Sequence, residues 1–189
     1  MDRGYHATSV REIGDYLDIS QSSLYYHGKN KPQILVDLNA EFMGGLVEAM
    51  EEIDSREEPP LEKLKAVVTE LLHAVAEHQA VVTVVLHERR SLPEEAAKAI
   101  QAQRDRVDEI IDGIVAAGVT AGDVAPLPPA VIRLALTGMT NWAYTWYDAD
   151  GSLTAEELAE SFAAILFDGI RPREAVRSPK SRTKKPRKT

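Results

Sequence analysis

Residues 8–31 read TSVREIGDYLDISQSSLYYHGKNK, and their spacing predicts two short helices set at an angle. Thr8 is placed as an N-cap, with Glu12 near the spacing of a capping box. Val10, Ile13 and Leu17 recur at i, i+3 and i+7 and give the first helix one apolar stripe. Asp18 and Ile19 form a tight corner, with Ile19 plugging the angle between the helices. Ser20 caps a second helix that runs to about His27. Two capped helices joined by a few turn residues are the sequence form of a DNA-reading element.

The second helix carries a surface suited to that task. Leu24 is its only aliphatic residue and faces inward, while Gln21, Ser22, Ser23, Tyr25, Tyr26 and His27 supply amide, hydroxyl and imidazole groups. Such groups hydrogen-bond base edges and phosphates, and Tyr rings pack on thymine methyls or sugars. Lys29 and Lys31 follow at the helix exit, in reach of the phosphate backbone. A solvated polar face on a short helix is the alternative for any one of these residues taken singly.

Taken together, G-Y-H-A-T-S-V-R-E-I, then S-Q-S-S-L-Y-Y-H, then K-N-K, resembles the DNA-binding domain of TetR-family transcriptional regulators over roughly residues 3–38. The resemblance implies a homodimeric, all-helical repressor whose larger C-terminal domain binds a small effector and thereby releases operator DNA. It implies phosphate contacts for Thr8 and Lys31, and places Gln21, Ser22, Tyr25, Tyr26 and His27 in or beside the major groove. Three departures accompany it. Family members carry a further helix before the Arg-Gly-Tyr, whereas this sequence opens at Met1 in the last turn of that helix. Gly28 stands where the family usually has Phe, and Pro32 where it usually has an acidic residue. These departures keep open a second reading, a helical dimer that binds a ligand or protein partner without reading DNA sequence.

The 189 residues are 44% hydrophobic and 28% charged, enough apolar content for a packed interior with solvated helix faces. Cys is absent, which excludes disulfides and thiolate chemistry. No apolar run reaches membrane-spanning length and no signal segment opens the sequence. The expectation is a cytoplasmic protein with no membrane partner. The net charge of −8 divides unevenly. Residues 171–189 carry nine Lys/Arg against Glu174 alone, about +8, which leaves −16 on the other 170. That stretch, with three prolines and no apolar period, is expected to be a disordered basic tail. It is either a salt-sensitive clamp on DNA phosphates or a solubilising extension.

Between reader and tail the pattern is helix after helix. Ile34, Leu35, Leu38, Phe42, Leu46, Met50 and Ile53 trace one stripe after Pro32, interrupted by Gly44-Gly45, which is either a hinge or a point of close packing. Glu57-Glu58-Pro59-Pro60 breaks the chain. Leu61, Leu64, Val67, Val68, Leu71, Leu72, Val75 and Ala76 then form a broad apolar face. A kink near His78-Gln79 separates this from a short helix, Val81 to Glu88. The next helix starts at Pro93 and runs to about Ala117, ended by Gly118 and Gly122, with Ile100, Val107, Ile110, Ile111 and Ile114 inward. Helices over 131–147 and 155–170 complete an all-α architecture. It comprises a helix-turn-helix domain over 1–38, a helical ligand-binding and dimerisation domain over 39–170, and the tail.

The segment NWAYTWYDADGSLTAEELAESF, 141–162, holds both tryptophans of the chain, Trp142 and Trp146, with Tyr144 and Tyr147. Leu158, Phe162, Ile165 and Leu166 stripe the helix after it. Two such helices can pair with a second copy as a four-helix bundle, or the aromatics can line an effector cavity. The Trp-Tyr-Trp-Tyr-Asp-Gly arrangement is similar to actinobacterial TetR members that sense acyl-CoA or steroid-derived thioesters. His73, His87, Arg89, Arg90, Arg104 and Asn141 stand as polar groups on or beside apolar helices. A few such groups orient a ligand in an apolar pocket, and the candidate effector set is His73, His87, Asn141 and Trp142.

Asp148, Asp150 and Gly151 echo the start of a calcium loop, but no twelve-residue ligand set follows and a turn is expected. His73, His78 and His87 do not share a helix face, and no catalytic, phosphate-loop or dinucleotide motif is present. The expectation is a non-enzymatic protein without cofactor or metal, and a ligand-responsive repressor. Its expected partners are double-stranded operator DNA, a small-molecule effector and a second copy of itself, the two readers roughly 34–36 Å apart in successive major grooves.

Overall fold

A computed structural model describes residues 31–87 and 91–170, and every regular element among them is helical. The elements are α1 (Lys31–Ser55), α2 (Pro60–His87), α3 (Glu94–Ala121), α4 (Pro129–Trp142), a 3₁₀ turn (Ala143–Thr145) and α5 (Ala155–Ile170). The candidates Thr8, Gln21, Ser22, Tyr25, Tyr26, His27 and Lys29, together with Arg89, Arg90 and the basic tail, lie outside the described residues. Lys31 opens α1, its side chain also outside them.

Helix α1 runs unbroken across Leu38 and Asn39, where the two domains were expected to meet. Ile34, Leu35, Met50 and Ile53 of its stripe are buried, and Phe42 and Leu46 are half-buried. Met43, which the stripe omits, is buried as well. Close packing does not account for the glycine pair. A Cβ at Gly45 meets nothing within 4 Å, and one at Gly44 meets only the Gln103 amide at 3.6 Å.

Helix α2 packs against α1, α3, α4 and α5, which is why its broad face is so apolar: Leu64, Val67, Val68, Leu71, Leu72 and Val75 are all buried. It kinks where expected, at His78 (φ −129°, ψ 33°). No glycine or proline sits there. Thr83 Oγ1 donates to the Gln79 carbonyl at 2.7 Å, a local bond that competes with the helical ladder. Gln79 Nε2 donates to the carbonyls of Tyr144 and Tyr147 at 2.8 and 2.9 Å.

Helix α3 does not stop at Gly118. That glycine is buried inside the helix, where a Cβ would lie 2.6 Å from Val124 Cγ2 and 3.3 Å from Pro60 Cβ. Its role is close approach. The helix ends one turn later at Gly122, which takes the left-handed conformation at φ 83° while Asp123 and Val124 donate to the Gly118 carbonyl. Helix α4 differs from the expected 131–147 at both ends. It begins at Pro129, a residue suited to the first turn, and gives way after Trp142 to the 3₁₀ turn, where Gln79 holds the carbonyls of Tyr144, within it, and Tyr147, just after it. Before α5, Thr154 and Glu157 close a reciprocal capping box, Glu157 N–H to Thr154 Oγ1 at 3.2 Å and Thr154 N–H to Glu157 Oε2 at 2.9 Å. Asp148 to Gly151 form a turn, with Gly151 N–H on the Asp148 carbonyl at 3.0 Å.

Candidate functional site

A cavity of about 250 Å³ lies where α1, α2, α3 and α4 converge. Its chemistry divides by element. From α1 and α2 come Phe42, Met43, Leu46, Leu71, Val75 and Val82, all apolar. From α3 and α4 come Gln101, Arg104, Asp108, Arg133, Thr137 and Asn141, with Val107 and Leu134 among them. A mostly apolar cleft with a few convergent polar groups on one side is a common form of a small-molecule site.

The polar wall is tied together. Arg133 donates through Nη1 to Asp108 Oδ2 at 2.6 Å and through Nε to Asp112 Oδ1 at 3.0 Å, linking α4 to two successive turns of α3. Arg104 Nη2 donates to the Val85 carbonyl at 3.0 Å, near the end of α2. Burial pushes the Asp108 carboxyl above its ordinary range; Arg133 opposes the shift, and Asp112 and Asp105 add to it.

A second, larger cavity of about 540 Å³ lies on the other side of Phe42, Leu46 and Ala74, which line both. Its remaining walls include Glu41, Glu70 and Glu77 with His73 and His78. Three carboxylates give this space an acidic rim.

The four expected ligand contacts do not meet in one place. Asn141 lines the inner cavity and His73 the outer one. His73 Nε2 lies 3.6 Å from Glu156 Oε1 of α5. His87 is exposed at the end of α2 and shares a 2.6 Å hydrogen bond with Tyr144 Oη, their rings edge to face. Trp142 lines neither cavity and is 64% exposed. Gln101, Asp108, Arg133 and Thr137 line the cavity of Asn141 without belonging to the expected set. The signal for Arg133 was present, since it is a lone cation inside the apolar run VIRLAL.

The aromatic segment sorts by side. Tyr147 is buried and Tyr144 half-buried, whereas Trp142 and Trp146 face outward. With Val131 and Leu134 of α4 and Ile165 of α5, the two tryptophans make up most of the large apolar side chains exposed among the described residues. Trp146 packs on Phe162, joining the two helices along this face.

Comparisons with known proteins agree with this architecture. Residues 1–38 match the family described as bacterial regulatory proteins, tetR family, and residues 57–170 match the tetracyclin repressor-like C-terminal domain. The HTH-type transcriptional repressor KstR2 of Mycolicibacterium smegmatis is 28% identical, over 89% of this chain and 83% of that protein. The fatty acid metabolism regulator protein of Bacillus subtilis is 27% identical, over 89% of this chain and 88% of its own length. The crystal structure of AibR in complex with isovaleryl coenzyme A and operator DNA superposes with a TM-score of 0.73 at 28% identity, covering 88% of this chain and 90% of that one. With both the reader and the larger helical domain matched, the chain belongs to the TetR family of bacterial transcriptional regulators.

Proposed function

We propose that this protein is a homodimeric transcriptional repressor whose operator binding is released by an acyl-type effector, an acyl-CoA or related lipid-derived metabolite. One observation carries the reading. Phe42, Met43 and Leu46, which wall the inner cavity, sit on the helix whose first turns belong to the segment matched as DNA reader. A ligand in that cavity presses on the element that leads to the reader. It favours one dimer arrangement over another only by the difference in its contacts with the two. The AibR complex, with its acyl-CoA and operator, and the fatty-acid regulator supply the effector class. The outward apolar face of α4 and α5 supplies the dimer contact, a self-complementary pairing of two helices from each copy. Thr8, Lys29 and Lys31 hold phosphates, and Gln21, Ser22, Tyr25, Tyr26 and His27 address the major groove.

The test is a fluorescence-anisotropy titration against the protein's own promoter region, with a scrambled duplex as control, at about 50 and about 200 mM salt. Selective binding that persists at the higher salt and falls on addition of an acyl-CoA is expected. Equal binding to both duplexes, lost at the higher salt, reduces the interaction to charge alone and refutes operator recognition.

A further inference from the structure

We propose that Phe42 and Leu46 form a partition that sets the length of acyl chain the effector site accepts. The inference rests on the acyl-effector reading above and adds an orientation and a limit to it. The orientation follows from which element supplies which wall. The polar groups of the inner cavity stand on α3 and α4, and the apolar ones cluster on α1 and α2. A thioester head therefore sits toward Gln101, Arg104 and Asn141, and the chain end points at Phe42 and Leu46. Charge favours the same direction. The space beyond the partition is rimmed by Glu41, Glu70 and Glu77, which repel a nucleotide's phosphates, while on the opposite side Asp108 offsets one of the two arginines, Arg104 and Arg133.

The limit is set by the side chains at the apolar end of the cavity, where Phe42, Leu46 and Ala74 stand between it and the next space. Beyond Phe42, Leu46 and Ala74 lies a further cavity of about 540 Å³, so the stop is made of side chains and can be moved. Removing the Phe42 ring joins the two spaces, and enlarging Ala74 closes the inner one further.

Isothermal titration of the full chain with straight-chain acyl-CoAs from butanoyl to hexadecanoyl tests this. In the unaltered protein affinity should rise roughly fourfold per methylene up to one chain length and then stop rising. In Phe42→Ala and Leu46→Ala the rise should continue beyond that length. In Ala74→Leu it should end earlier. Circular dichroism identifies a variant that fails to fold, and the remaining two then decide. A break at the same length in all folded variants overturns the partition and leaves the acyl-effector reading standing. An affinity that climbs unbroken to hexadecanoyl in the unaltered protein does the same. An unaltered protein that takes up no acyl-CoA of any length overturns both.

Discussion

Arg133 holds Asp108 from one helix away, its Nη1 2.6 Å from the carboxylate Oδ2 while its Nε reaches Asp112 at 3.0 Å. One guanidinium thus bridges two carboxylates on adjacent turns of α3. Arg133→Ala leaves both without that partner at a site that is only partly open to water. A loss of about 1–3 kcal/mol is expected, below the cost of breaking a fully buried pair. Urea denaturation near neutral pH measures it, and an unchanged midpoint would show that solvent already screens the network.

The same cluster has a pH signature. Burial holds the Asp108 carboxyl above its ordinary pKa, so the folded chain binds that proton more tightly than the unfolded chain does. Its stabilising contribution is complete below the ordinary carboxylate pKa and is lost as pH rises through the raised one. Asp108→Asn removes this titration. The variant's stability relative to the unaltered protein should therefore improve as pH climbs from about 4 toward 7. Paired denaturation curves across that range decide the sign, and a difference that moves the other way contradicts the assignment to burial.

Trp142 is 64% and Ile165 64% exposed on the face assigned to dimerisation. Placing a charge there, as in Trp142→Arg or Ile165→Arg, forces a desolvated, unpaired cation into the interface. Sedimentation velocity should report dimers for the unaltered protein and monomers for each variant. Dimers that persist in both variants would move the interface elsewhere.

One substitution at two glycines should have opposite effects. Gly45→Ala meets nothing within 4 Å in an unbroken helix and should stabilise by about 0.5–1 kcal/mol through helix propensity. Gly118→Ala drives a methyl to 2.6 Å from Val124 and should destabilise by about 1–3 kcal/mol. Thermal melts of the two variants compare them directly, and shifts of the same sign would refute the account of why each glycine is there.

The legible parts of the sequence were those set by local physics. Apolar recurrence marked the buried faces of α1, α2 and α3, and the change of direction at His78 was visible as polar residues interrupting a face. Helix ends were less legible where a distant partner sets them. The end of α4 depends on Gln79, more than sixty residues earlier, and Gly118 reads as a stop unless Val124 and Pro60 are known to lie against it. The candidate site was legible only in part for a related reason. His87 and Trp142 sit on apolar helices as a ligand contact would, yet one turns to Tyr144 and the other outward. Facing direction depends on how four helices cross, and no local pattern carries that.

Helix α1 has 25 residues without a break, about 37 Å at 1.5 Å per residue. The cavity touches it at Phe42, Met43 and Leu46, some 16–22 Å from its first residue by the same rise. A helix of that length tilted near its middle works as a lever. A tilt of about 5° at the ligand carries the far end close to 2 Å, a sizeable error against a groove spacing near 34 Å. Amplification of that kind needs no large rearrangement where the cavity meets α1.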